Sequence, residues 1–559
     1  MLLRRTARFA QKLRNGLPTA LAVILVSQAE AQVVEGLASQ TGNAPIGSPT
    51  PGGGALSGFS FTASVALTET YTSNGLGVPR SSGLGTGADF VSSPSLNLGL
   101  HKRTARFEGD LQYTLGGYLY AHNSSLNRVS NYLNALGRAV LVPEHVLLDV
   151  RAFAAPVLIS RLGPVSADDR PIATGTNSGR RDTYGYTVSP DFLFRLGDFA
   201  TSETTFSHGS VFFFDPGGPT IEDSIPGEPP PTQATVYGVT ERFSSGSDFS
   251  RLAWILAGTA SKSTHMGGGD LEQAAGTGDF RYALSRQIAL LGTAGYASLT
   301  STSQPLTHSL VGPIALGGLA IDLGPSFSAE FRAGWQFNYN SYSGRLHYEL
   351  GPSTTLTGSL SDSVTTPALR FLGGLGQLNV NAQGDFFDTA YQLDDGIAPA
   401  NVSEISVFNP APIDQIGMGG GGGEISRYRA ARLSLLHESE RTRYRLTFYK
   451  TLRDPLVVVP TTFPREDSTG VDALISHSLN RVLTGSAGAG YSVNDVLGGQ
   501  HTMFRTRAEL TYLMTPVMTS FLRATYLHRL SDRALVAVSP LSDNLSDVSI
   551  SIGIQRQLF

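Results

Sequence analysis

The chain has 559 residues and no cysteine, which excludes disulfide bonds, zinc–thiolate sites and a cysteine nucleophile. Charged residues make up only 15% of the sequence, against roughly 25% in an average soluble protein. The net charge of −4 argues against a dedicated nucleic-acid-binding protein. After Gln32 the sequence lacks an apolar run of about 18 residues and therefore predicts no transmembrane helix.

The amino-terminal segment has the order of features found in a secretory signal peptide. Residues 1–16 are basic, an apolar run extends from Leu17 to Val26, and Ala29-Glu30-Ala31 precedes Gln32. This order predicts that residues 1–31 are removed on export, with a buried amphipathic helix as the alternative. Residues 32–57 are rich in Gly, Pro and Ser without a period, and we interpret them as a flexible periplasmic segment.

The rest of the chain is dominated by a two-residue alternation of apolar and polar side chains. In GFSFTASVALTETYT (residues 58–72), Phe59, Phe61, Val65 and Leu67 share one face, and serines and threonines share the other. The same texture recurs to the end of the chain in about 22 segments, each long enough to cross a bilayer as a tilted strand. Short connections alternate with longer ones, as periplasmic turns alternate with extracellular loops.

We therefore predict an all-β protein, in which residues 58–559 form a large antiparallel transmembrane β-barrel of about 22 strands (roughly 18 to 24). A soluble antiparallel sandwich is the alternative, but it leaves the long connections on one side unexplained. The longest loop, residues 367–423, is predicted either to constrict the lumen or to contribute another hairpin that raises the strand count to about 24. The predicted location is the bacterial outer membrane, with the lipid bilayer and the barrel-assembly machinery as partners.

The last residue, Phe559, is interpreted as a signal for the barrel-assembly machinery. The isoleucines of VSISIGIQRQLF (residues 548–559) have the opposite parity to Phe559. A β-bulge near Arg556 would bring the aromatic and aliphatic side chains to one face. An ordinary terminal strand is the alternative.

Many charged residues within the predicted strands alternate with apolar ones, and we expect these charges to face the lumen. An Arg or Lys side chain on the lipid face near the midplane costs about 2–4 kcal/mol. The lumen-facing candidates are Glu330, Arg332, Arg345, His347, Glu349, Arg443, Arg445, Arg505, Arg507, Glu509 and Arg523. Arginine predominates, and rings of arginine in a pore favour anions. An equally open interpretation is that the arginines only brace the wall by pairing with carboxylates and carbonyls.

Motifs for catalysis or for a cofactor are weak. Ser207-His208-Gly209-Ser210 brings hydroxyl groups near an imidazole, but adjacent strand residues point to opposite faces. Ser210 and His208 share a face and lie about 7 Å apart along the strand. The Gly419–Gly423 run lacks the Lys-Ser/Thr ending of a phosphate loop, and we interpret it as a hinge in an outer loop. We predict no enzymatic activity, no cofactor and no metal site.

Several stretches resemble a known group of proteins. They are NSSLNR (123–128), YTVSPDFLFRLGDFATSETTFSH (186–208), LAWILAGTAS (252–261) and GWQFNYNSYSGRLHYELGPSTTLTGSLSDSVTTP (334–367). These stretches resemble the outer-membrane β-barrel proteins associated with PEP-CTERM/exosortase systems, a group within a broader β-barrel porin class. The resemblance implies a barrel fold, an outer-membrane location and a link to exopolysaccharide secretion, and it supplies no catalytic residues.

Two hypotheses about function follow. The first is a porin or export channel for polar or anionic solutes, linked to exopolysaccharide or surface-protein export, with polysaccharide as a further partner. The second is a closed structural or docking barrel whose outer loops bind surface polymer. An integral-membrane hydrolase is a third, weakly supported option, and a nucleic-acid partner is not expected.

Overall fold

The strands of the protein are long and run almost continuously through the chain. A computed structural model describes residues 58–79, 87–158, 180–214, 233–265, 270–303, 306–365, 378–380, 386–388, 425–456, 465–496, 499–532 and 543–558. The strands are β1 (Gly58–Thr72), β2 (Asp89–Arg103), β3 (Phe107–Tyr120), β4 (Arg128–Val142), β5 (Val146–Leu158), β6 (Arg180–Leu196), β7 (Ala200–Phe214), β8 (Gln233–Ser245), β9 (Leu252–His265), β10 (Asp270–Ala283), β11 (Ile288–Ser303), β12 (Leu306–Asp322), β13 (Phe327–Gln336), β14 (Tyr339–Gly351), β15 (Thr354–Thr365), β16 (Leu378–Val380), β17 (Phe386–Asp388), β18 (Ser426–Glu438), β19 (Thr442–Pro455), β20 (Glu466–Ser478), β21 (Leu483–Val496), β22 (Gly499–Thr515), β23 (Met518–Ser531) and β24 (Leu545–Gln557). A short 3-10 helix, Ser124–Leu126, lies between β3 and β4.

The sheet closes on itself. Successive long strands are antiparallel neighbours, β15 pairs with β18, and β24 pairs with β1, which gives one 22-stranded barrel. This confirms the predicted fold class. Strands β16 and β17 come from the long segment 367–423 and form a separate two-stranded hairpin close to β4. This hairpin does not join the barrel sheet, so the expected increase to about 24 strands is wrong. Constriction of the lumen by this segment stays a prediction.

The outer face of the barrel is apolar. Ile550, Ile552 and Ile554 of β24 are 48%, 60% and 41% exposed, and Trp335 of β13 is 59% exposed. Side chains that alternate with these residues, such as Ser549, are buried. A closed barrel satisfies every strand hydrogen bond within a bilayer, and an apolar outer band around such a barrel is typical of outer-membrane proteins. The protein is an outer-membrane β-barrel.

Within the described ranges no helix has the length and hydropathy needed to span a membrane, and this finding does not bear on strands. The two ends of the barrel differ in their connections. Short turns join β4 to β5, β6 to β7 and β12 to β13, whereas wide gaps in sequence separate β5 from β6 and β7 from β8. Gly197 and Gly324 lie in two of the short turns with φ of 60° and 94°, a conformation that glycine adopts without strain. We assign the short turns to the periplasmic end.

One outer hairpin differs from its prediction. The alternation of apolar residues predicts a turn at Tyr339-Asn340, but the turn lies at Phe337 and Asn338, and Gln336 pairs with Tyr339. Both turn residues have positive φ, 50° for Phe337 and 66° for Asn338. Asparagine tolerates this conformation and fixes the tight turn there. The apolar side chain of Phe337 continues the strand pattern by one residue beyond the last paired position, which accounts for the misplaced turn.

The last strand pairs regularly through its final residues. Gln557 pairs with Ser64 of β1 and Arg556 pairs with Met518 of β23, without a shift of register. The predicted bulge near Arg556 is therefore wrong. Leu558 continues the ladder, because its amide donates to the carbonyl of Ala63 at 2.7 Å. Phe559 lies outside the described residues, as do the predicted signal peptide, residues 32–57 and the Gly419–Gly423 run.

Some strand charges face outward. Lys450 has the same parity as Phe448 on β19, and its Nζ lies 3.4 Å from an Asp467 carboxylate oxygen on the same outer face. Glu241 alternates in phase with Val239 and accepts a 2.7 Å hydrogen bond from the Ser202 hydroxyl. The expectation that strand charges face the lumen is therefore wrong for Lys450 and Glu241. Local polar partners reduce the free-energy penalty of an outward-facing charge.

Candidate functional site

The inner face of the barrel carries most of the charged side chains of the strands, and these side chains form separate clusters. On β10, β11 and β13, an Arg332 Nη1 lies 2.8 Å from Asp279 Oδ1 and 3.0 Å from Thr293 Oγ1. Thr293 also donates to the same carboxylate oxygen at 2.5 Å. Asp279 and Thr293 are cross-strand partners, whereas Arg332 must reach over β12 to join them.

A glycine lies on the strand that Arg332 crosses. Gly318 of β12 is the register partner of Arg332. A Cβ atom built on Gly318 would lie 1.7 Å from the Phe331 carbonyl oxygen, so a larger residue there requires the backbone to shift. The resulting cluster is nearly closed to solvent, because the Arg332 and Asp279 side chains are only 7% and 15% exposed. Its geometry is that of a buried, hydrogen-bonded ion pair that braces three strands.

The charged residues predicted to face the lumen on β13 and β14 do not pair with each other across the hairpin. Glu330 stands opposite Arg345 in the register, but one of its carboxylate oxygens accepts a 2.7 Å hydrogen bond from Arg281 of β10. His347 Nε2 lies 3.7 Å from a Glu349 carboxylate oxygen, a distance longer than a hydrogen bond. These contacts favour charge pairing along the wall over acid–base chemistry.

A second cluster lies on β22 and β23. Glu509 accepts hydrogen bonds from Arg507 and from Arg523, each at 2.7 Å and on the same oxygen, Oε2. The Thr511 hydroxyl donates to the other oxygen at 3.2 Å. The Glu509 side chain is almost fully buried. One carboxylate therefore serves two guanidinium groups, and the cluster keeps a positive charge.

Next to this cluster, the inner faces of β18 to β20 carry further charges. Arg443 pairs with Glu438 at the periplasmic end of β18 and β19. Arg445 lies two residues further along β19 and has the same parity. Asp472 of β20 interacts electrostatically with Arg432 of β18 and Arg505 of β22.

On the opposite side of the seam between β24 and β1, a third cluster uses the same chemistry. Arg138 of β4 binds both oxygens of Asp149 of β5, at 2.8 and 2.9 Å. Asp191 of β6 accepts a 2.5 Å hydrogen bond from the Thr205 hydroxyl of β7. Bidentate pairing and a hydroxyl partner satisfy these buried carboxylates.

Sequence reasoning missed several members of these clusters. Asp279, Arg281, Arg432 and Asp472 were not among the lumen-facing candidates, although all of them contact or lie near those candidates. The alternation itself contained the signal for Asp472, because VDALI (471–475) places Val471, Ala473 and Ile475 on one face.

The Ser207–Ser210 stretch does not assemble a nucleophile and a base. His208 Nε2 lies 3.1 Å from the Tyr186 hydroxyl, and its ring centroid lies 4.8 Å from that of Tyr237. The Ser210 hydroxyl lies 3.0 Å from the Thr235 hydroxyl. Each group therefore has its own partner on a neighbouring strand.

The inner wall is covered to different extents at its two ends. Near the ends joined by long connections, Val236, Leu299 and Arg529 are inward-facing and fully buried. Near the periplasmic turns, inward-facing residues such as His101 and Arg195 are exposed. Burial varies near the periplasmic turns, because the inward-facing Ala289 and Ala320 there are only 4% and 2% exposed.

Comparison with known proteins shows likeness of fold. No protein-family model matches the chain, and no curated protein matches it. Among solved structures, the siderophore receptor PirA from Pseudomonas aeruginosa is 9% identical with a TM-score of 0.39, over 89% of this chain and 80% of that chain. The ferric-catecholate import receptor Fiu from E. coli K12, in its open form, is 9% identical with a TM-score of 0.46, over 89% and 81% of the two chains. The FrpB iron transporter from Neisseria meningitidis is 9% identical with a TM-score of 0.41, over 89% of this chain and 81% of that chain.

These low TM-scores and identities carry no argument about a ligand or a transport cycle. The resemblance to PEP-CTERM-associated barrels stays a prediction.

Proposed function

We propose that the protein is a non-enzymatic transport barrel that passes polar or anionic solutes across the outer membrane. The observation that carries the proposal is the excess of arginine over carboxylate on the inner face of β18 to β23. The inner face of these strands carries Arg432, Arg445, Arg505, Arg507 and Arg523 together with the carboxylates of Asp472 and Glu509. The remaining lumen-facing residues, from Glu330 to Glu349 on β13 and β14, line the same interior.

The chemistry of this wall suits anions. Guanidinium groups stay charged at every physiological pH, and they bind carboxylate and phosphate groups through paired hydrogen bonds. A wall of one sign inside a low-dielectric barrel focuses its field and raises the local concentration of counter-ions. A solute with negative charge is therefore favoured in this part of the lumen over a cation.

The direction of transport and the pathway belong to the same proposal. The resemblance to barrels of PEP-CTERM/exosortase systems supports a role in exopolysaccharide or surface-protein export, with an acidic polysaccharide as the solute. Neighbouring genes for polysaccharide synthesis would support export. If such genes are absent from the neighbourhood, a general porin is the better interpretation.

The test is ion selectivity in planar lipid bilayers. We expect the purified full-length protein to conduct and to show an anion-selective reversal potential in a KCl gradient. The double variant Arg505→Gln/Arg507→Gln should lower the anion-to-cation permeability ratio by about fourfold per arginine, because one charge about 10 Å away in water changes the energies of an anion and of a cation by about 0.4 kcal/mol in opposite directions. Lys450→Gln is the matched control, because it removes one positive charge from the outer face. Cation preference in the wild type, or equal effects of both variants, contradicts the proposal.

A second candidate function is supported by the burial at the extracellular end. Val236, Leu299 and Leu527 are inward-facing and completely buried there. This burial favours a barrel closed at its outer mouth, which would act as a docking platform whose outer loops bind surface polymer. Absence of conductance, together with retention of extracellular polymer by cells that carry the barrel, would favour this candidate.

A further inference from the structure

Among the described residues, one carboxylate on the inner wall lacks the hydrogen bonds that Asp149, Asp279 and Glu509 have. Asp472 of β20 is only 6% exposed, and neither of its carboxylate oxygens has a hydrogen-bond partner among the described residues. By contrast, the buried carboxylates of Asp149 and Glu509 each accept hydrogen bonds from arginine. A buried carboxylate without a donor is destabilising, and it calls for a ligand or another source of hydrogen bonds.

The strand next to Asp472 on the side of Arg505 has small inward-facing residues. Asp472 stands opposite Gly490 of β21, which in turn stands opposite Arg505 of β22. The inward positions of β21 on either side of Gly490 are Gly488 and Ser492. The space between the carboxylate of Asp472 and the guanidinium of Arg505 is therefore bounded below by a strand with almost no side chains.

Positive charge surrounds this space on two sides. Arg432 of β18 and Arg505 of β22 both interact electrostatically with Asp472. Neither of them donates a hydrogen bond to the Asp472 carboxylate. Arg507, one step along β22, adds a further guanidinium that it shares with Glu509. The two guanidinium groups attract the negative charge of an anion. The Asp472 carboxylate repels that charge but accepts hydrogen bonds from donor groups of the same anion.

We propose that Asp472, Arg432 and Arg505 form a binding site for a hydroxylated organic anion, such as a sugar acid. The guanidinium groups bind the carboxylate of the solute, and Asp472 accepts hydrogen bonds from its neighbouring hydroxyl groups. A simple anion without hydroxyl groups gains the first interaction only. This inference rests on the proposed function, because it names the solute class for the same arginine-rich wall.

The experiment measures binding apart from conductance. Full-length protein in detergent is titrated with D-glucuronate, with glucose and with propionate, and binding is followed by isothermal titration calorimetry. We expect glucuronate to bind at least about tenfold more tightly than propionate, which has the charge without the hydroxyl groups, and glucose to bind weakly. Asp472→Ala should remove the preference for glucuronate over propionate. Arg505→Gln should weaken the binding of both anions by about tenfold.

Two controls test whether the variants act through this site and whether they are folded. Arg151→Gln removes an inward arginine from β5, far from β20, and should leave glucuronate binding unchanged. Heat-modifiable migration on a gel establishes that each variant is a folded barrel. Equal affinity for glucuronate and propionate, or a folded Asp472→Ala variant with unchanged preference, overturns the site. Selective binding of glucuronate without conductance supports the binding site and contradicts the proposed transport function. Conductance without a preference for glucuronate supports transport and contradicts the binding site.

Discussion

Asp279 of β10 and Asp472 of β20 are both carboxylates on the inner wall, and their surroundings differ in kind. Asp279 accepts hydrogen bonds from Arg332 and from Thr293. Asp472 has arginines nearby but no hydrogen-bond donor among the described residues. The first region braces the wall through satisfied contacts, and the second region has unused capacity for a ligand. Charge inside one barrel thus serves two purposes.

The two carboxylates differ in the hydrogen bonds that their cross-strand partners make. The cross-strand partner of Asp279 is Thr293, whose hydroxyl donates directly. The cross-strand partner of Asp472 on β21 is Gly490, which offers no side chain. Asp472 also stands opposite Thr447 of β19, but the Thr447 hydroxyl lies 3.1 Å from the Ser434 hydroxyl and makes no hydrogen bond to Asp472. A cross-strand hydroxyl therefore braces a carboxylate only when it is directed at that carboxylate.

The largest expected effect comes from breaking the brace. Arg332→Leu leaves the Asp279 carboxylate buried with only the Thr293 hydroxyl, and should lower the free energy of unfolding by about 3 kcal/mol. Urea titration of the protein refolded into lipid vesicles measures this change. Arg281→Leu is the matched control on the same wall, because the Arg281 side chain is 44% exposed and its pair with Glu330 should contribute less than about 1 kcal/mol. Equal losses in the two variants would show that burial does not distinguish the two pairs.

An intermediate effect is expected in the cluster that combines both purposes. Glu509→Gln removes the carboxylate shared by Arg507 and Arg523, and should destabilise the barrel by about 2 kcal/mol while increasing anion preference. Urea titration and bilayer reversal potentials measure the two changes. Glu349→Gln removes an exposed carboxylate, 3.7 Å from His347, and should change stability little. Loss of stability without a gain in anion preference would assign Glu509 to bracing alone.

The faces of the strands could be predicted from the sequence with little loss. Two solvents act on the two sides of each strand, so Ile550, Ile552 and Ile554 alternate with serine and glycine over the whole of β24. A slip of one residue would expose every polar side chain to lipid, which fixes the register strongly. The same rule explains Lys450, which stays on the outer face because its parity with Phe448 outweighs the penalty of one charge.

The partners of the inward charges could not be predicted in the same way. Arg332 and Asp279 lie 53 positions apart in the sequence, and the Arg332 side chain crosses β12 to meet Asp279. Alternation assigns a side chain to a face but does not say which strands its long side chain can cross. The unpartnered state of Asp472 likewise could not be predicted, because one of its cross-strand partners is Gly490 and the other, Thr447, contacts Ser434 instead.

The smallest expected effect is the sharpest test of the comparison between the two carboxylates. Asp472→Asn removes a charge that has no described hydrogen bond to lose, and should change the free energy of unfolding by less than about 1 kcal/mol. Asp279→Asn loses a charge-assisted pair and weakens the Thr293 contact, and should destabilise by about 2 kcal/mol. The two variants carry the same chemical change at inward positions, so their difference in urea titration isolates the surroundings. If Asp472→Asn destabilised the barrel as much as Asp279→Asn, the Asp472 carboxylate would already be satisfied within the folded protein, and both regions of the wall would be braces.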